Sequence, residues 1–326
     1  MTEILFLQDE RLNSMYSYGG SLDTRCLFEA SISSLNDNSF VNYMSGFKAW
    51  KVFARCNQLT IFPIINAEFC IFLIEALKEG ASWATLNKYI CAAKFFHKIF
   101  ELENIQVNET LCNYLKKFCR KPNAEKRPIN VNEVYAILEL SKTEPSSLLL
   151  FRDLSIVLFG FFGFCRFDDF AQIKFSDFSV DNNVFSVKIR NAKNDRYYKG
   201  QTLSFELDEF CDSILKKYLS LSKSYRSRRD SYLFLNLSKK KPKDEKMSYR
   251  EARNAVLSLC FRANVDVSSI GTHSFRIGAA TLATRRGVPD VHIERHGRWA
   301  LGSSAKNRYQ RVSRDDHIIV SRCLRK

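Results

Sequence analysis

Apolar residues recur every three or four positions along the first third of the chain, which is the spacing of a helix face turned toward a core. Residues 38–57 show this spacing clearly, with one face formed by Phe40, Met44, Phe47, Trp50 and Phe53. The same pattern predicts a second helix over about 67–79, a third that begins after the N-cap residue Ser82, and a fourth over 108–120. We therefore expect the N-terminal part of the chain to be an all-helical bundle.

This pattern is interrupted by a polar stretch, CRKPNAEKRPINVNEVYAI. The stretch combines charged residues with two prolines, and a new helix is expected to begin at the capping residue Asn132. Because this composition is typical of a linker, a domain boundary is predicted near residue 125.

The pattern changes again after the apolar helix that ends in FGFFGFCRF. Apolar and polar residues alternate at Phe185, Val187 and Ile189, break at NAKND and alternate once more, which predicts a β-hairpin. A further strand near AQIKFSDFSV is expected to complete a three-stranded antiparallel sheet, and helices resume from about residue 208. The predicted fold class is mainly α with a small antiparallel sheet (α+β), with a helical domain over 1–124 and a second domain over 125–326.

Positive charge dominates the chain, because 50 Lys and Arg outnumber 35 Asp and Glu and the pI is ≈ 9.4. A polyanionic partner is therefore expected, and nucleic acid is favoured over a membrane surface. The segment from Lys223 to Arg253 holds eleven basic and four acidic residues. It fits both an ordinary solvated surface and a surface that follows a phosphate backbone.

Membrane insertion and secretion are not expected. No apolar run approaches the ~20 residues that span a bilayer, and the N-terminal sequence lacks the basic segment of a secretory signal. The ten cysteines are scattered and form no C-x-x-C pair, so reduced core thiols are expected rather than disulfides or a structural zinc site. The chain is therefore predicted to be intracellular, with no membrane partner.

The first candidate chemistry lies in the stretch THSFRIGAATLATRRG. If a helix begins here and ends at Gly287, His273 and Arg276 share one face at its N-terminal end, where the helix dipole and a guanidinium attract an anion. Arg166, in GFCRFDDF, follows a buried helix and offers a second guanidinium that Asp169 could hold in place. Two such groups can clamp a phosphodiester, although a purely structural ion pair also explains Arg166 and Asp169.

A phosphodiester held in this way needs a nucleophile, and Tyr309 lies in a polar, basic context, SSAKNRYQR. In chain order these residues resemble the catalytic set of the tyrosine recombinases, the phage integrase family. The matching positions are Arg166 and Asp169 in GFCRFDD, Lys193 in NAKND, His273 and Arg276 in THSFR, Trp299 in HGRW and Tyr309 in KNRY. The N-terminal helices resemble the core-binding domain of the same family by architecture only.

The region around Trp299 carries the finer resemblance and its departures. The run HGRWALGSSAKNRYQR is similar to recombinases of eukaryotic mobile elements, the DIRS-like and Crypton-like groups. Tyr309 follows Trp299 by ten residues, one more than is usual, so His296 is a rival for the third phosphate-contact position, where Trp299 is preferred. His292 and His296 have the spacing of a zinc pair, but Ile293 stands where the zincin motif requires Glu, so no metal site is predicted.

The resemblance implies that the protein breaks and rejoins DNA strands, as in recombination or integration of a mobile element. Tyr309 would attack a backbone phosphate, form a 3′-phosphotyrosyl link and release a 5′-hydroxyl, with no metal, ATP or other cofactor. The two arginines would balance the charge of the phosphorane, and Lys193 would protonate the leaving oxygen. His273 would accept the tyrosine proton or contact the phosphate, and Trp299 would contact the phosphate or support Tyr309.

The implied partner is double-stranded DNA, bound by a homo-tetramer on paired sites. The compartment would be the nucleus in a eukaryotic host and the cytoplasm or nucleoid in a bacterium. Two alternatives stay open: a type IB topoisomerase that relaxes supercoils as a monomer, and a domesticated DNA-binding protein that no longer cuts. The hairpin lysine and the helical bundle favour a recombinase over the first, and the complete catalytic set argues against the second.

Overall fold

The computed structural model describes residues 30–33, 35, 37–119, 126–181, 184–190, 200–226, 228, 230–237, 242–302 and 309. The chain divides into two compact units, Met1–Asn123 and Ala124–Lys326. The roles expected for the two units stay predictions. None of the described helices is both long enough and apolar enough to cross a membrane.

The helices of the first unit lie where the apolar spacing predicts them. They are α1 (Asp37–Cys56), α2 (Asn66–Lys78), α3 (Trp83–Ile99) and α4 (Glu109–Phe118). Two of them begin at side-chain caps, because the Ser82 hydroxyl and the side-chain amide oxygen of Asn108 each accept a hydrogen bond from the N–H three residues ahead. The apolar faces meet in a core whose large members include Trp50, Phe69 and Phe96, each 1% exposed. The all-helical prediction is confirmed for the described residues of this unit.

His97 joins two loops inside the first unit and was not predicted to matter. Its Nε2 accepts a hydrogen bond from the Ile64 N–H over 3.0 Å, and its Nδ1–H donates to the carbonyl of Glu103 over 2.6 Å. Only 3% of the residue is exposed, and this burial lowers the pKa of His97. The neutral ring therefore uses both of its nitrogens as a structural link.

The second unit begins with α5 (Val131–Leu138), which starts two residues earlier than the predicted cap implies. The predicted cap Asn132 is wrong, because the capping box is formed by Asn130 and Glu133. The Asn130 side chain accepts the Glu133 N–H, and the Glu133 carboxylate accepts the Asn130 N–H, each over 2.9 Å. This pair satisfies two main-chain donors reciprocally.

An apolar helix, α6 (Leu148–Phe161), forms the centre of the second unit. All of its residues from 150 to 161 are buried, as expected for a helix that is covered on every side. The helices that follow are α7 (Phe167–Phe170), α8 (Glu209–Ser222), α9 (Tyr249–Arg262), α10 (Thr272–Arg285) and α11 (Asp290–Gly297). Helix α6 packs against α8, α9 and α10.

The three-stranded antiparallel sheet is confirmed. Its order is β1 (Phe178–Asp181), β2 (Val184–Ile189) and β3 (Gln201–Glu206). On β2 the alternating positions Phe185, Val187 and Ile189 are buried, as the apolar pattern predicts. The mainly α fold with a small sheet is therefore confirmed as well.

The first strand is shorter than predicted. Of the stretch AQIKFSDFSV, only the last three residues belong to β1, because the Asp177 carboxylate accepts the Lys174 N–H over 3.3 Å and closes a single 3-10 turn. This local side-chain bond competes with strand pairing. The NAKND stretch, which includes Lys193, lies outside the described residues.

A short crossing segment, residues 126–130, runs over the beginning of α10. The Arg127 N–H donates to the carbonyl of Ser269 over 3.0 Å, and the Ile129 N–H donates to the carbonyl of Ser274 over 3.2 Å. A Cβ atom on Gly278 would lie only 1.9 Å from the Ile129 carbonyl oxygen. The close approach between segment and helix thus requires glycine at this position.

Candidate active site

Arg276 is fully buried on α10, with 0% of the residue exposed. Two main-chain carbonyls hold its guanidinium: Nη1 donates to Phe164, and Nη2 donates to Gly297 over 2.5 Å. Its buried Nε has no hydrogen-bond partner in the described part of the chain. Burial, followed by the positive charges of Arg166 and Arg298, lowers the pKa of Arg276 to about 9. Because a buried cation is costly unless it is balanced, this site favours an anionic ligand.

Arg166 lies at the start of α7, immediately after the turn that follows α6. Its main-chain N–H donates to the Asp169 carboxylate over 2.8 Å, which fixes the turn. The guanidinium Nη1 is 3.9 Å from the same carboxylate, and the side chain is 17% exposed. Asp169 therefore supports Arg166 mainly through the backbone, and the two side chains form only a loose ion pair.

The close ion pair of Asp169 is made with Arg298, which no sequence pattern predicted. Nη2 of Arg298 lies 2.6 Å from Oδ2 of Asp169, and the side chains are 4% and 3% exposed. Arg298 follows the last residue of α11 and adopts a left-handed backbone conformation, with φ of 54°. The sequence feature that could have pointed to Arg298 was its place in HGRW, between His296 and Trp299. The sequence could not show that this side chain meets a residue 129 positions away.

Trp299 and Tyr309 pack together beside Arg276. Their ring centroids are 5.1 Å apart, and the guanidinium carbon of Arg276 lies 4.3 Å from the tryptophan ring and 5.0 Å from the tyrosine ring. Gly297 leaves room for the indole, since a Cβ there would lie 2.1 Å from it. The indole Nε1 is buried and has no hydrogen-bond partner among the described residues. Trp299 therefore offers an unused donor next to Tyr309.

His296 is engaged elsewhere. Its Nε2–H donates to the carbonyl of Phe162 over 2.8 Å, and its ring lies edge-on to Phe164 at 4.6 Å between centroids. These contacts tie α11 to the turn after α6. His292, on the same helix, is exposed. The structure thus places Trp299, rather than His296, in ring contact with Tyr309.

His273 lies on the first turn of α10, with its ring centroid 6.4 Å from that of Tyr309. Desolvation, followed by the charges of Arg276 and Arg166, lowers the pKa of His273. Neutral imidazole is the form that can accept a proton. Tyr309 is also held by its main chain, because the hydroxyl of Thr281 donates to its carbonyl over 3.2 Å.

The described residues therefore bring together seven of the eight predicted positions in one region of the second unit, while Lys193 lies outside them. These seven are Arg166, Asp169, His273, Arg276, His296, Trp299 and Tyr309. The guanidinium groups of Arg298 and Arg166 lie beside the buried carboxylate of Asp169, and Arg276 interacts with it electrostatically. This excess of positive charge suits a phosphate group. In the described part of the chain no three His, Cys, Asp or Glu side chains form a group that could hold a metal ion.

Residues 127–315 match the sequence model of the Phage integrase family. A probable integrase/recombinase of Methanocaldococcus jannaschii is 24% identical over 247 residues, which cover 75% of this chain and 72% of that protein. The XerH site-specific recombinase, solved with palindromic difH substrate after cleavage, has a TM-score of 0.62 at 19% identity, over 87% of this chain and 78% of that chain. A lambda integrase tetramer bound to a Holliday junction has a TM-score of 0.54 at 13% identity, over 92% and 80% of the two chains. Since the family match spans more than half of the chain, this protein belongs to the phage integrase family, the tyrosine recombinases.

Proposed function

We propose that this protein breaks and rejoins DNA strands at specific sites through a 3′-phosphotyrosyl intermediate on Tyr309. The observation that carries the proposal is the packing of Tyr309 against Arg276, whose guanidinium carbon is 5.0 Å from the tyrosine ring. Arg276 is buried, its pKa is lowered to about 9, and its Nε is unpartnered within the described residues. A phosphodiester bound to this guanidinium would lie within reach of the phenol, so nucleophile and electrophile would be held together.

The reaction exchanges one phosphoester for another. The Oη of Tyr309 bonds to phosphorus as the bond from phosphorus to the 5′-oxygen breaks. The phenolic proton passes to His273, and Lys193 protonates the leaving oxygen. Arg166 and Arg276 balance the charge of the pentacoordinate phosphorane. In the second step a 5′-hydroxyl from another strand attacks the phosphotyrosine, which restores the phosphodiester without an external energy source.

Trp299 fills the third phosphate-contact position in this proposal. Its free indole N–H and its contact with the ring of Tyr309 support this role. The rival, His296, already donates its Nε2–H to a main-chain carbonyl. Asp169 supports the reaction indirectly, by fixing the turn that carries Arg166.

The proposed partner is double-stranded DNA, bound by a homo-tetramer on paired sites. A net charge of +15 favours such a polyanion, and the two matched structures described above were solved with DNA, one of them as a tetramer. Residues 1–124 would clamp the DNA and residues 125–326 would cut it. The kinship with DIRS-like or Crypton-like elements, and the nuclear or nucleoid location, stay predictions.

Covalent capture tests the proposal and selects the DNA site in the same experiment. The protein is incubated with nicked duplexes of randomised sequence, in which the short 5′-hydroxyl fragment diffuses away and traps the adduct. Detergent-stable adducts are isolated and their DNA is sequenced. The unmodified protein should give adducts enriched in one sequence, and Tyr309→Phe should give none.

Tyr225→Phe is the matched control, because Tyr225 belongs to the same unit and is 46% exposed. This variant should give adducts in normal amounts. Adduct formation by Tyr309→Phe would refute the proposed nucleophile. Relaxation of a supercoiled plasmid that lacks the selected sequence would favour the topoisomerase, and DNA binding without any adduct would favour the non-cutting protein.

A further inference from the structure

Arg298 is a buried guanidinium that holds the turn carrying Arg166. This turn, residues 163–166, joins α6 to α7. Nη1 of Arg298 lies 3.4 Å from the carbonyl oxygen of Gly163, and Nη2 lies 3.2 Å from that of Phe164. The Phe164 carbonyl also accepts a hydrogen bond from Arg276. Two buried cations thus share one main-chain acceptor, two residues before Arg166.

The backbone at both ends of this contact is strained. Phe164 has φ of 48° and Arg298 has φ of 54°, and neither is glycine. Residues in this left-handed region persist when the surrounding contacts hold them there, and they cluster at functional sites. The hydrogen bonds from Arg298 to the turn are contacts of this kind. Arg298 therefore helps to hold the backbone conformation that positions Arg166.

The carboxylate of Asp169 lies between two guanidinium groups and is much closer to one of them. Its Oδ2 is 2.6 Å from Nη2 of Arg298 and 3.9 Å from Nη1 of Arg166. The negative charge of Asp169 is therefore balanced by Arg298. The guanidinium of Arg166 is left in a loose pair and partly exposed, as a group that binds an external phosphate has to be.

We propose that Arg298 is a positioning residue, which engages the carboxylate of Asp169 and so keeps the guanidinium of Arg166 free for the scissile phosphate. The inference rests on the proposed function of this site. Arg298 does not touch the phosphate in this scheme. It acts on the reaction only through Asp169 and through the turn 163–166.

Loss of Arg298 would leave Asp169, which is 4% exposed, without its close charge partner. The guanidinium of Arg166 is the cation next to it, so the loose pair would tighten and compete with the phosphate for Arg166. Arg276 and His273 also interact electrostatically with Asp169. The Cys165 thiol also interacts electrostatically with Asp169, but burial raises its pKa to about 12, so it stays neutral.

The test measures the first-order rate of adduct formation by the full chain on a nicked duplex of the sequence selected above. Arg298→Gln should form adducts roughly 10²-fold more slowly at pH 7.5, which is the size of effect expected when one transition-state donor is lost. Its affinity for the uncut duplex should change only a few-fold. The double variant Arg298→Gln/Asp169→Asn should recover most of the rate, because the competing charge is gone and the two amides can still hydrogen-bond.

The double variant separates this role from a merely structural one. If Arg298 acted only by supporting the fold, removing the charge of Asp169 would restore nothing. A double variant as slow as Arg298→Gln would therefore overturn the inference.

If the Arg298→Gln variant does not fold, the Arg298→Lys variant provides the test. The ammonium still balances Asp169, so adduct formation should stay within about tenfold of normal. A folded Arg298→Lys variant that forms no adduct would overturn the inference. Failure of the proposed function gives a different result, because the unmodified protein would then form no adduct that depends on Tyr309.

Discussion

A tight backbone contact in the second unit predicts the effect of Gly278→Ala. Gly278 lies on α10 two residues after Arg276, where the crossing segment 126–130 passes over the helix. A Cβ at this position would lie 1.9 Å from the Ile129 carbonyl oxygen, 2.9 Å from its carbonyl carbon and 3.1 Å from its nitrogen. All three atoms are backbone, so no flexible side chain can move aside.

The magnitude follows from the required movement. Ordinary contact begins at 3.4 Å, so the distance of 1.9 Å between the Cβ and the carbonyl oxygen must widen by about 1.5 Å. Overpacking of this kind costs roughly 1–3 kcal/mol. Loss of the hydrogen bond from the Ile129 N–H to the Ser274 carbonyl costs a further ~1 kcal/mol. Alanine in place of glycine in a helix interior stabilises the helix by ~1 kcal/mol. The second unit should therefore be destabilised by about 2 kcal/mol.

Hydrogen exchange read by mass spectrometry measures each unit separately. Peptides from α6 should exchange about 30-fold faster in Gly278→Ala, whereas peptides from α3 in the first unit should be unchanged. Gly160→Ala is the matched control, because it makes the same change inside α6, where the nearest atom is the Phe275 Cβ at 3.3 Å. If Gly278→Ala exchanges as slowly as Gly160→Ala, the close approach does not limit the stability of this unit.

Three further outcomes are expected. The pKa of His97 is lowered in the folded state, so its contribution to the stability of the first unit should be complete above about pH 6.5 and should fall at lower pH, by at most ~1.4 kcal/mol per pH unit. Thermal unfolding at pH 7.5 and 5.5 measures this loss of stability, and His97→Phe should remove the difference between the two pH values. Gly297→Ala should displace the indole of Trp299, seen as altered near-ultraviolet circular dichroism, and slow adduct formation with little change in DNA affinity. Trp299→Phe should slow adduct formation more than His296→Ala at equal DNA affinity, and the reverse order would assign the third position to His296.

Local patterns in the sequence predicted the elements that local chemistry decides. The helix that starts near THSFR is observed as α10, because its apolar face and its termination near Gly287 are encoded within one short stretch. The alternation on β2 was likewise sufficient for the hairpin. The cap of α5 was placed two residues late because both Asn130 and Asn132 are good caps, and only the return bond from Glu133 decides between them.

Contacts between distant parts of the chain could not be predicted from one sequence. Asp169 was expected to support Arg166; its carboxylate accepts the main-chain N–H of Arg166, but its close ion pair is with Arg298. Either arginine satisfies a buried carboxylate on chemical grounds. The choice depends on how the left-handed turn after α11 aims one side chain at α7, and this is a property of tertiary packing.

The crossing segment has a consequence for synthesis of the protein. Besides its main-chain bonds to α10, Lys126 donates from Nζ to the carbonyl of Ile270, 144 residues further along the chain. A chain growing on the ribosome therefore exposes this segment long before its partners exist, and the contacts around Arg276 form only when nearly all of the second unit has emerged. Incomplete chains can bury neither the arginine nor the segment, so the ability to nick DNA would arise late and all at once.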